Sequence, residues 1–291
     1  MNARITNTFL AVAALIMACS AKADIVTVYY SDFSDTSNIQ LNGDAAVYTP
    51  NSGSELRLTG GNISESGSAF LLDPISLSND ASFSAFFSFN IHASQPGADA
   101  DGFGADGFTF TLQTVSNTSG TGGGGLGYSG IGSSMAVEFD TWLNPAADDI
   151  SGNHVGINLN GSVNSSASTN EVDRFNDGDS WYVWIDYDGT SDDLNVRYSL
   201  YPTRPDNISL TYTVDLADIF NSQPVYVGFT GSSGSGASQS HNIEQFAFEN
   251  EYKTLVEQGS VSDVPITGSA LSLLLSCLFM RNCARKGESS V

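Results

Sequence analysis

Five side chains that commonly bind metal ions are concentrated in one short segment. They are Glu138, Asp140, Asn144, Asp149 and His154. Carboxylate and amide oxygens suit Ca²⁺, whereas an imidazole nitrogen combined with carboxylates suits Mn²⁺ or a similar transition metal. The segment contains both kinds of ligand set, so we expect two metal sites to share it. The alternative is a solvated acidic loop beside a core histidine. It would account for any one of these residues alone, but not readily for five in one segment.

The spacing of these residues predicts how a strand and a loop bring them together. Glu138 and Asp140 are separated by one residue, so in a β-strand they project from the same face. Buried acids need a compensating partner, and a cation supplies one. The proline after Asn144 should end the strand, and a strand pattern begins again at His154. The loop between them can therefore fold Asp149 back toward the two acids.

Short runs of alternating apolar residues predict the elements that position this segment. Gly, Ser, Thr, Asn and Asp are abundant and Lys, Arg and Glu are scarce, which favours an all-β fold. Strands separated by polar, glycine-rich turns are typical of a β-sandwich. We expect one helical turn at residues 216–220. The strand candidates are residues 83–89, 108–113, 134–140, 154–159, 181–187, 194–200, 211–214, 225–230 and 243–249.

Two glycine-rich segments lack this periodicity. They are residues 118–132 and residues 231–239. The absence of any alternating or helical pattern predicts that both are exposed loops. Such loops are often simple connectors, but they can also carry binding residues.

The charge of the chain excludes one class of partner. The formal net charge is -22, and residues 24–263 hold 31 acidic and five basic residues, or 31 minus 5, which is 26 net negative charges. Such a surface repels phosphate backbones, so we expect no binding to nucleic acid. The same surface attracts divalent cations.

The first 23 residues have the pattern of a secretory signal peptide. Arg4 is followed by an apolar run over residues 9–18 and by a small-residue end at Ala23. We expect cleavage after Ala23 and export of the protein. A buried N-terminal helix and lipid attachment at Cys19 are the alternatives.

The segment 264–286 begins with Val-Pro, continues with a short apolar stretch and ends with basic residues. This order resembles the PEP-CTERM-type sorting tail of bacterial proteins, which a membrane exosortase recognises in that family. The apolar stretch is shorter than the roughly 20 residues of a membrane-spanning helix. Ile266 and Thr267 also replace the usual Glu-Pro, so a plain C-terminal anchor is the alternative. We expect a protein exported through the inner membrane and then secreted or held at the cell surface.

The remaining boundaries follow from these two ends. Residues 24–252 are predicted to form one domain, 253–263 a linker and 287–291 a short tail. The three cysteines of the chain all lie in the terminal segments, at positions 19, 277 and 283. The folded domain therefore has neither a disulfide framework nor a cysteine-based zinc site.

The metal-ligand segment resembles the metal loop of legume-type (L-type) lectins. Glu-Phe-Asp-Thr-aromatic-x-Asn begins at Glu138, and Asp149 and the sequence His154-Val-Gly-Ile follow it with the spacing of that family. The resemblance implies a concanavalin-like jelly-roll β-sandwich of two antiparallel sheets, with metal and sugar loops at one end. The implied ligands are Glu138, Asp140, Asp149 and His154 for Mn²⁺ or a similar transition metal, and Asp140, Asn144, Asp149 and the Trp142 carbonyl for Ca²⁺.

Two upstream segments resemble the sugar-binding parts of the same family. The Ala-Asp-Gly sequence at Asp106 resembles a strand whose aspartate accepts hydrogen bonds from sugar hydroxyls and follows a cis peptide stabilised by the calcium site. The glycine run before Leu126 resembles a loop that donates a backbone N–H, and the alignment points to Gly124. The same resemblance implies that the Asn144 amide donates to the sugar and that Trp142 stacks on an apolar sugar face.

Two other functions compete with carbohydrate binding. Glu138-x-Asp140 also begins the Glu-x-Asp-x-x-Glu motif of a jelly-roll glycoside hydrolase family, but Leu143 stands where the third acid is required. Retaining hydrolysis needs two carboxylates, so we expect no enzymatic activity. The second alternative is a surface or matrix protein that keeps the metal loop without binding sugar. The expected partners are glycans and the membrane sorting machinery, with homo-oligomers or surface display to supply avidity.

Overall fold

The structure is a computed structural model that describes residues 25–50, 53–77, 81–94, 97, 102, 104–118, 124–145, 149–252 and 255. The predicted signal peptide, sorting segment and short tail lie outside the described residues. Apart from Leu255, so does the predicted linker. No helix within the described ranges has the length and apolar character that crossing a bilayer requires.

Fifteen strands and one short helix make up the described part of the chain. In chain order the strands are β1 (Thr27–Tyr30), β2 (Ile39–Gly43), β3 (Ala46–Tyr48), β4 (Glu55–Gly60), β5 (Ser66–Leu71), β6 (Phe83–Ser94), β7 (Gly107–Gln113), β8 (Ser134–Asp140), β9 (His154–Leu159), β10 (Ala167–Asn170), β11 (Asp177–Asp188), β12 (Asp193–Ser199), β13 (Leu210–Thr213), β14 (Tyr226–Ser232) and β15 (Ser238–Glu249). The helix α1 (Leu216–Phe220) lies between β13 and β14. All nine predicted strands and the predicted helical turn are confirmed.

The strands form two antiparallel sheets. The back sheet has the order β13-β12-β11-β6-β15-β4-β3, with β1 also paired to β15. The front sheet has the order β10-β9-β8-β7-β14-β5-β2. Strands that follow one another in the chain often lie in different sheets, and the fold is a jelly-roll β-sandwich. The predicted fold class is confirmed.

Aromatic side chains fill the space between the sheets. Phe87 and Phe89 of β6 pack against Phe108 of β7 and Phe139 of β8, with ring centroids 4.8–6.3 Å apart. Each fully buried phenylalanine contributes about 1.5–3 kcal/mol of hydrophobic stabilisation. Side chains alternate between the two faces of a strand, so the residues between these aromatics point away from the core.

One end of the front sheet brings the predicted site residues together. Gly107, at the start of β7, pairs with Asp140 at the end of β8, and Asp140 pairs with His154 at the start of β9. On its other side, Gly107 pairs with Ser232 at the end of β14. The strand register therefore places Asp106 and the loops after β8 and β14 at the same end of the sandwich.

The prediction of an exposed loop is wrong for much of residues 118–132. Leu126 and Tyr128 have no exposed surface, and Ile131 has 4%. Tyr128 and Ile131 form an apolar cluster with Ala136, which lies on the outer face of β8. The segment is buried because it packs across the outer face of the front sheet.

The prediction is also wrong for residues 231–239. β14 continues to Ser232 and β15 begins at Ser238, so residues 233–237 alone connect the two strands. Gln239 is fully buried. The sequence does not reveal these strand ends, because the glycine and serine residues that form them produce no alternating apolar pattern.

Candidate functional site

Strand β8 carries two acidic residues on the outer face of the front sheet. Val137 and Phe139 belong to the core, so Glu138 and Asp140 point away from it. Both acids are nevertheless buried, with 1% and 3% of their surface exposed. Burying two neighbouring carboxylates is unfavourable unless a positive group compensates for their charge.

The loop after β8 folds back toward these acids, as its sequence predicts. One ligand atom from each of Asp140, Asp149 and His154 lies within 4.8 Å of the other two. Glu138 adjoins the group, because its Oε1 atom is 3.3 Å from Nε2 of His154. The four residues predicted to bind a transition metal therefore lie together, and three of them form a group that could hold a metal ion.

The ring of His154 is oriented for metal binding. Its Nδ1 atom lies 3.0 Å from the carbonyl oxygen of Ser151. A carbonyl only accepts hydrogen bonds, so Nδ1 carries the proton and donates. In the neutral ring Nε2 then presents its lone pair to the acidic cluster, which is the usual arrangement of a metal-bound histidine.

Two polar residues that the sequence analysis did not single out hold the carboxylate of Glu138. The Asn158 side-chain amide and the Ser165 hydroxyl both donate to it. The Ser165 Oγ atom also lies 2.9 Å from Asn158 Oδ1, so its single hydrogen can reach either acceptor. Gly156 stands between these groups, and a β-carbon there would collide with Glu138 and Ser165. This close approach explains the glycine in the Val-Gly-Ile sequence.

The electrostatics of the cluster favour a bound cation. Burial, and next the neighbouring Glu138, raise the pKa of Asp140 well above its usual range. Burial also raises the pKa of Asp149. Burial lowers the pKa of His154, but its contacts with Glu138 and Asp149 outweigh this and raise it overall. A cation would relieve the repulsion among the acids, and carboxylate oxygens with one imidazole nitrogen fit a transition metal.

Hydrogen bonds also connect the residues predicted for calcium. The backbone amide of Trp142 donates to Asp140 Oδ1 at 2.7 Å, and that of Asn144 donates to Asp149 Oδ2. The Asn144 side-chain amide lies 3.3 Å from the Trp142 carbonyl oxygen. Carboxylate, amide and carbonyl oxygens are thus gathered in one turn, and this donor set fits Ca²⁺. The side chains of Trp142 and Asn144 are half-buried.

Asp106 presents a buried carboxylate oxygen at the edge of the cluster. The Ala105–Asp106 peptide bond is cis. The Oδ2 atom of Asp106 is buried and has no hydrogen-bond partner among the described residues. Burial raises the pKa of Asp106 to about 6. A buried acceptor without a partner is costly, so this oxygen points to an external donor.

Two glycines leave space beside the predicted sugar-binding side chains, Gly234 beside Asp106 and Gly124 beside Asn144. A β-carbon on Gly124 would lie 3.0 Å from Asn144 Oδ1, and one on Gly234 would lie 3.3 Å from Asp106 Oδ2. Leu126 anchors the segment that carries Gly124, because its carbonyl accepts a 2.8 Å hydrogen bond from the Thr230 hydroxyl on β14. Gly124 therefore lies beside Asn144 and Gly234 beside Asp106, and the strand register places both pairs at the same end of the sandwich.

The sequence from residue 26 to residue 262 matches the model of the legume lectin domain. The chain belongs to this family. One of the curated relatives that it matches is the L-type lectin-domain containing receptor kinase VIII.1 of Arabidopsis thaliana. That relative is 32% identical over 79% of this chain but only 32% of its own length. The chain thus spans about a third of the receptor kinases it matches, and the match is to their lectin domain.

Solved lectin structures share the whole fold. Peanut lectin, solved with a nine-residue peptide, is 28% identical, with a TM-score of 0.66 over 80% of this chain and all of its own. The lectin of Bauhinia forficata, solved in complex with GalNAc, is 26% identical, with a TM-score of 0.65 over 78% of this chain and 98% of its own.

In this lectin domain several residues that contact the predicted site come from elsewhere in the chain and belong to no recognised motif. Gly234 has no matching motif, and Asn158 and Ser165 follow the metal loop without a recognisable spacing. Thr141 and Gln239 connect Asp106 to the interior of the sandwich. A polar residue inside a predicted strand, such as Asn158 in residues 154–159, is the one signal that could have drawn attention to these contacts. Gln239 lies in the segment predicted to be an exposed loop, so it has no such signal.

Proposed function

We propose that the protein is a lectin that binds carbohydrate at Asp106, Gly124, Asn144 and Gly234 and depends on calcium and a transition metal to do so. The single observation that supports this most directly is the buried Oδ2 atom of Asp106, which lacks a hydrogen-bond partner among the described residues and lies beside Gly234. Sugar hydroxyls are donors of the required kind. The Bauhinia relative with GalNAc supports the same ligand class.

The metals would be held by the residues already gathered at the end of β8. Glu138, Asp140, Asp149 and His154 would bind the transition metal. Asp140, Asn144, Asp149 and the Trp142 carbonyl would bind Ca²⁺. The ions neutralise the acidic cluster and fix its loop, and this role requires no chemical step.

The residues of the chain then recognise the sugar directly. Asp106 accepts hydrogen bonds from hydroxyl groups, the Asn144 amide and the Gly124 N–H donate, and Trp142 offers an aromatic surface to an apolar sugar face. Because the loops are fixed before the sugar arrives, little ordering cost is added on binding. Shallow single sites bind weakly, so homo-oligomers or surface display supply the avidity.

We further propose that the protein is exported and either secreted or held at the cell surface. The signal-peptide pattern of residues 1–23 and the sorting pattern of residues 264–286 support this. The membrane sorting machinery would act on the second segment. Mass spectrometry of the protein from its native cells tests both cleavages.

A glycan array with the metal-loaded protein tests the proposed binding. We expect binding that disappears with a chelator and returns when Ca²⁺ is added. Asp106→Asn keeps the shape of the site but replaces one of the two acceptor oxygens with an NH2 donor, so we expect it to lose binding. Binding that survives both the chelator and this variant contradicts the proposed site, and no binding by the metal-loaded wild type contradicts the lectin function.

A further inference from the structure

A chain of buried polar side chains leads from the sugar-site aspartate into the sandwich. The carbonyl oxygen of Asp106 accepts hydrogen bonds from the Thr141 amide at 2.9 Å and the Thr141 hydroxyl at 2.8 Å. The Thr141 hydroxyl accepts in turn from the side-chain amide of Gln239 at 2.5 Å. Both Thr141 and Gln239 are buried, with 1% and 0% of their surface exposed.

Gln239 has every polar atom of its side chain engaged. The second hydrogen of its amide nitrogen points to His241 Nε2, 2.8 Å away. Its carbonyl oxygen accepts from the Asn176 amide at 3.0 Å. Since the amide nitrogen supplies both of its donors, His241 Nε2 must be an acceptor.

The hydrogen bond at the other ring nitrogen of His241 fixes which atoms donate and which accept throughout the network. Its Nδ1 atom therefore carries the proton and donates to Thr59 Oγ1 at 2.6 Å, while Thr59 Oγ1 donates to the backbone carbonyl of Gln239 at 2.9 Å. The donors of Gln239, His241, Thr59 and Thr141 are then all satisfied in a single arrangement. Networks of this kind hold their members more rigidly than separate hydrogen bonds do.

The polar network lies in the apolar core between the two sheets, where buried polar side chains are unusual. The ring of His241 lies 6.2 Å from that of Phe108, and both are fully buried between the sheets. Apolar side chains would fill the same space without desolvating polar groups. The network ends on the carbonyl of Asp106, whose side chain carries the oxygen that lacks a partner.

We propose that Gln239 and His241 are positioning residues for the Asp106 carboxylate and act on it through Thr141. The inference rests on the proposed carbohydrate site. The network fixes the peptide that presents Asp106 to the sugar. Among the described residues, the Gln239 and His241 side chains hydrogen-bond to no proposed metal ligand and to no proposed sugar-binding side chain. Loss of Gln239 should therefore weaken sugar binding at unchanged metal content.

The test compares metal-loaded variants by calorimetric titration with galactose, N-acetylgalactosamine, glucose, mannose and fucose. Gln239→Leu and Thr141→Val remove donors, and we expect each to weaken the affinity for the preferred sugar by about tenfold. Thr141→Ser keeps the hydroxyl and should restore affinity to within about threefold of wild type. Wild-type affinity in Gln239→Leu overturns the proposal.

A matched control separates positioning from a general loss of stability. Tyr187→Phe removes a hydroxyl that hydrogen-bonds to Asp192, Val214 and Leu216. Tyr187 lies at the end of β11, whereas Asn176, which contacts Gln239, precedes the start of that strand. It should lower the melting temperature but leave sugar affinity and metal content unchanged. If Tyr187→Phe weakens sugar binding as much as Gln239→Leu does, the effect is one of stability and the proposal fails.

A second measurement does not depend on sugar binding. Hydrogen exchange of the Thr141 amide reports directly on its contact with the Asp106 carbonyl. We expect exchange at least about tenfold faster in Gln239→Leu than in wild type, and no such change in Tyr187→Phe. Equal exchange in all three proteins overturns the positioning role, even where the wild type binds none of the five sugars and the proposed function itself fails.

Discussion

The carbonyl oxygen of Asp106 accepts two hydrogen bonds from Thr141, one from the backbone amide and one from the hydroxyl. Thr141 directly follows Asp140, the residue at the centre of the acidic cluster. The aspartate of the proposed sugar site therefore adjoins the loop of the proposed metal site. The Asp140 carboxylate lies in the acidic cluster with Asp149 and His154, whereas the Oδ2 atom of Asp106 has no partner among the described residues.

This arrangement predicts different losses in two alanine variants. Asp140→Ala should remove both metals and lower the melting temperature, because Asp140 belongs to both proposed ligand sets. Asp106→Ala should keep nearly all of the metal and abolish sugar binding, because Asp106 belongs to neither set. Metal analysis of the two purified variants distinguishes these outcomes. Equal metal loss in both would refute the division of roles.

A methyl group on Gly234 is predicted to block the proposed sugar site. The β-carbon of Gly234→Ala would lie 3.3 Å from Asp106 Oδ2 and would occupy the space where a hydroxyl donor must approach. We expect sugar affinity to fall by at least about tenfold with metal content unchanged. Gly236→Ala is the matched control in the same loop, since its β-carbon would meet nothing within 4 Å. Similar affinities for the two variants in calorimetric titration contradict this prediction.

The cluster of Glu138, Asp140, Asp149 and His154 could be predicted because its residues are close in sequence and belong to a strand, a loop and the next strand. Alternation placed Glu138 and Asp140 on one face, and Asn144 with its following proline marked the turn. The first five strands and β10 were not predicted. β3 has no buried residue, and β5 is built partly from glycine and serine, so alternating hydrophobicity is absent from these two strands.

The rest of the site depends on contacts between distant parts of the chain. Gln239 reaches Thr141 across 98 residues, and Thr230 reaches Leu126 across 104. Neither contact has a local pattern. The buried segment around Leu126 was likewise interpreted as exposed, because its burial comes from packing on a sheet face that periodicity cannot identify.

The hydroxyl of Ser165 is predicted to strengthen transition-metal binding without touching the metal. It donates to Glu138 and thereby orients the carboxylate toward His154. Groups that orient metal ligands in this way typically change affinity by about 10–100-fold. Ser165→Ala should therefore weaken Mn²⁺ binding by about tenfold or more. The exposed neighbour Ser166, replaced by alanine, is the control, and competition with a chromogenic chelator measures both. Equal Mn²⁺ affinities would contradict the prediction.

The buried imidazole of His241 is predicted to make the folded state less stable in acid. Burial lowers the pKa of His241 from its ordinary value of 6.5 to about 3. Between these values the unfolded chain binds a proton that the folded chain excludes, so stability falls as the pH falls. From pH 7 to pH 5 this group alone should remove about 2 kcal/mol.

Urea denaturation of wild type and His241→Gln at both pH values isolates this contribution. A chelator keeps both proteins free of metal, so the release of metal in acid cannot contribute. Asp106 and Asp140, whose folded pKa values are raised, act with the opposite sign, because the folded chain takes up their protons first. They do so equally in both proteins and cancel in the comparison. Wild type should therefore lose about 2 kcal/mol more than the variant on acidification, and parallel losses would show that His241 is protonated in the folded protein.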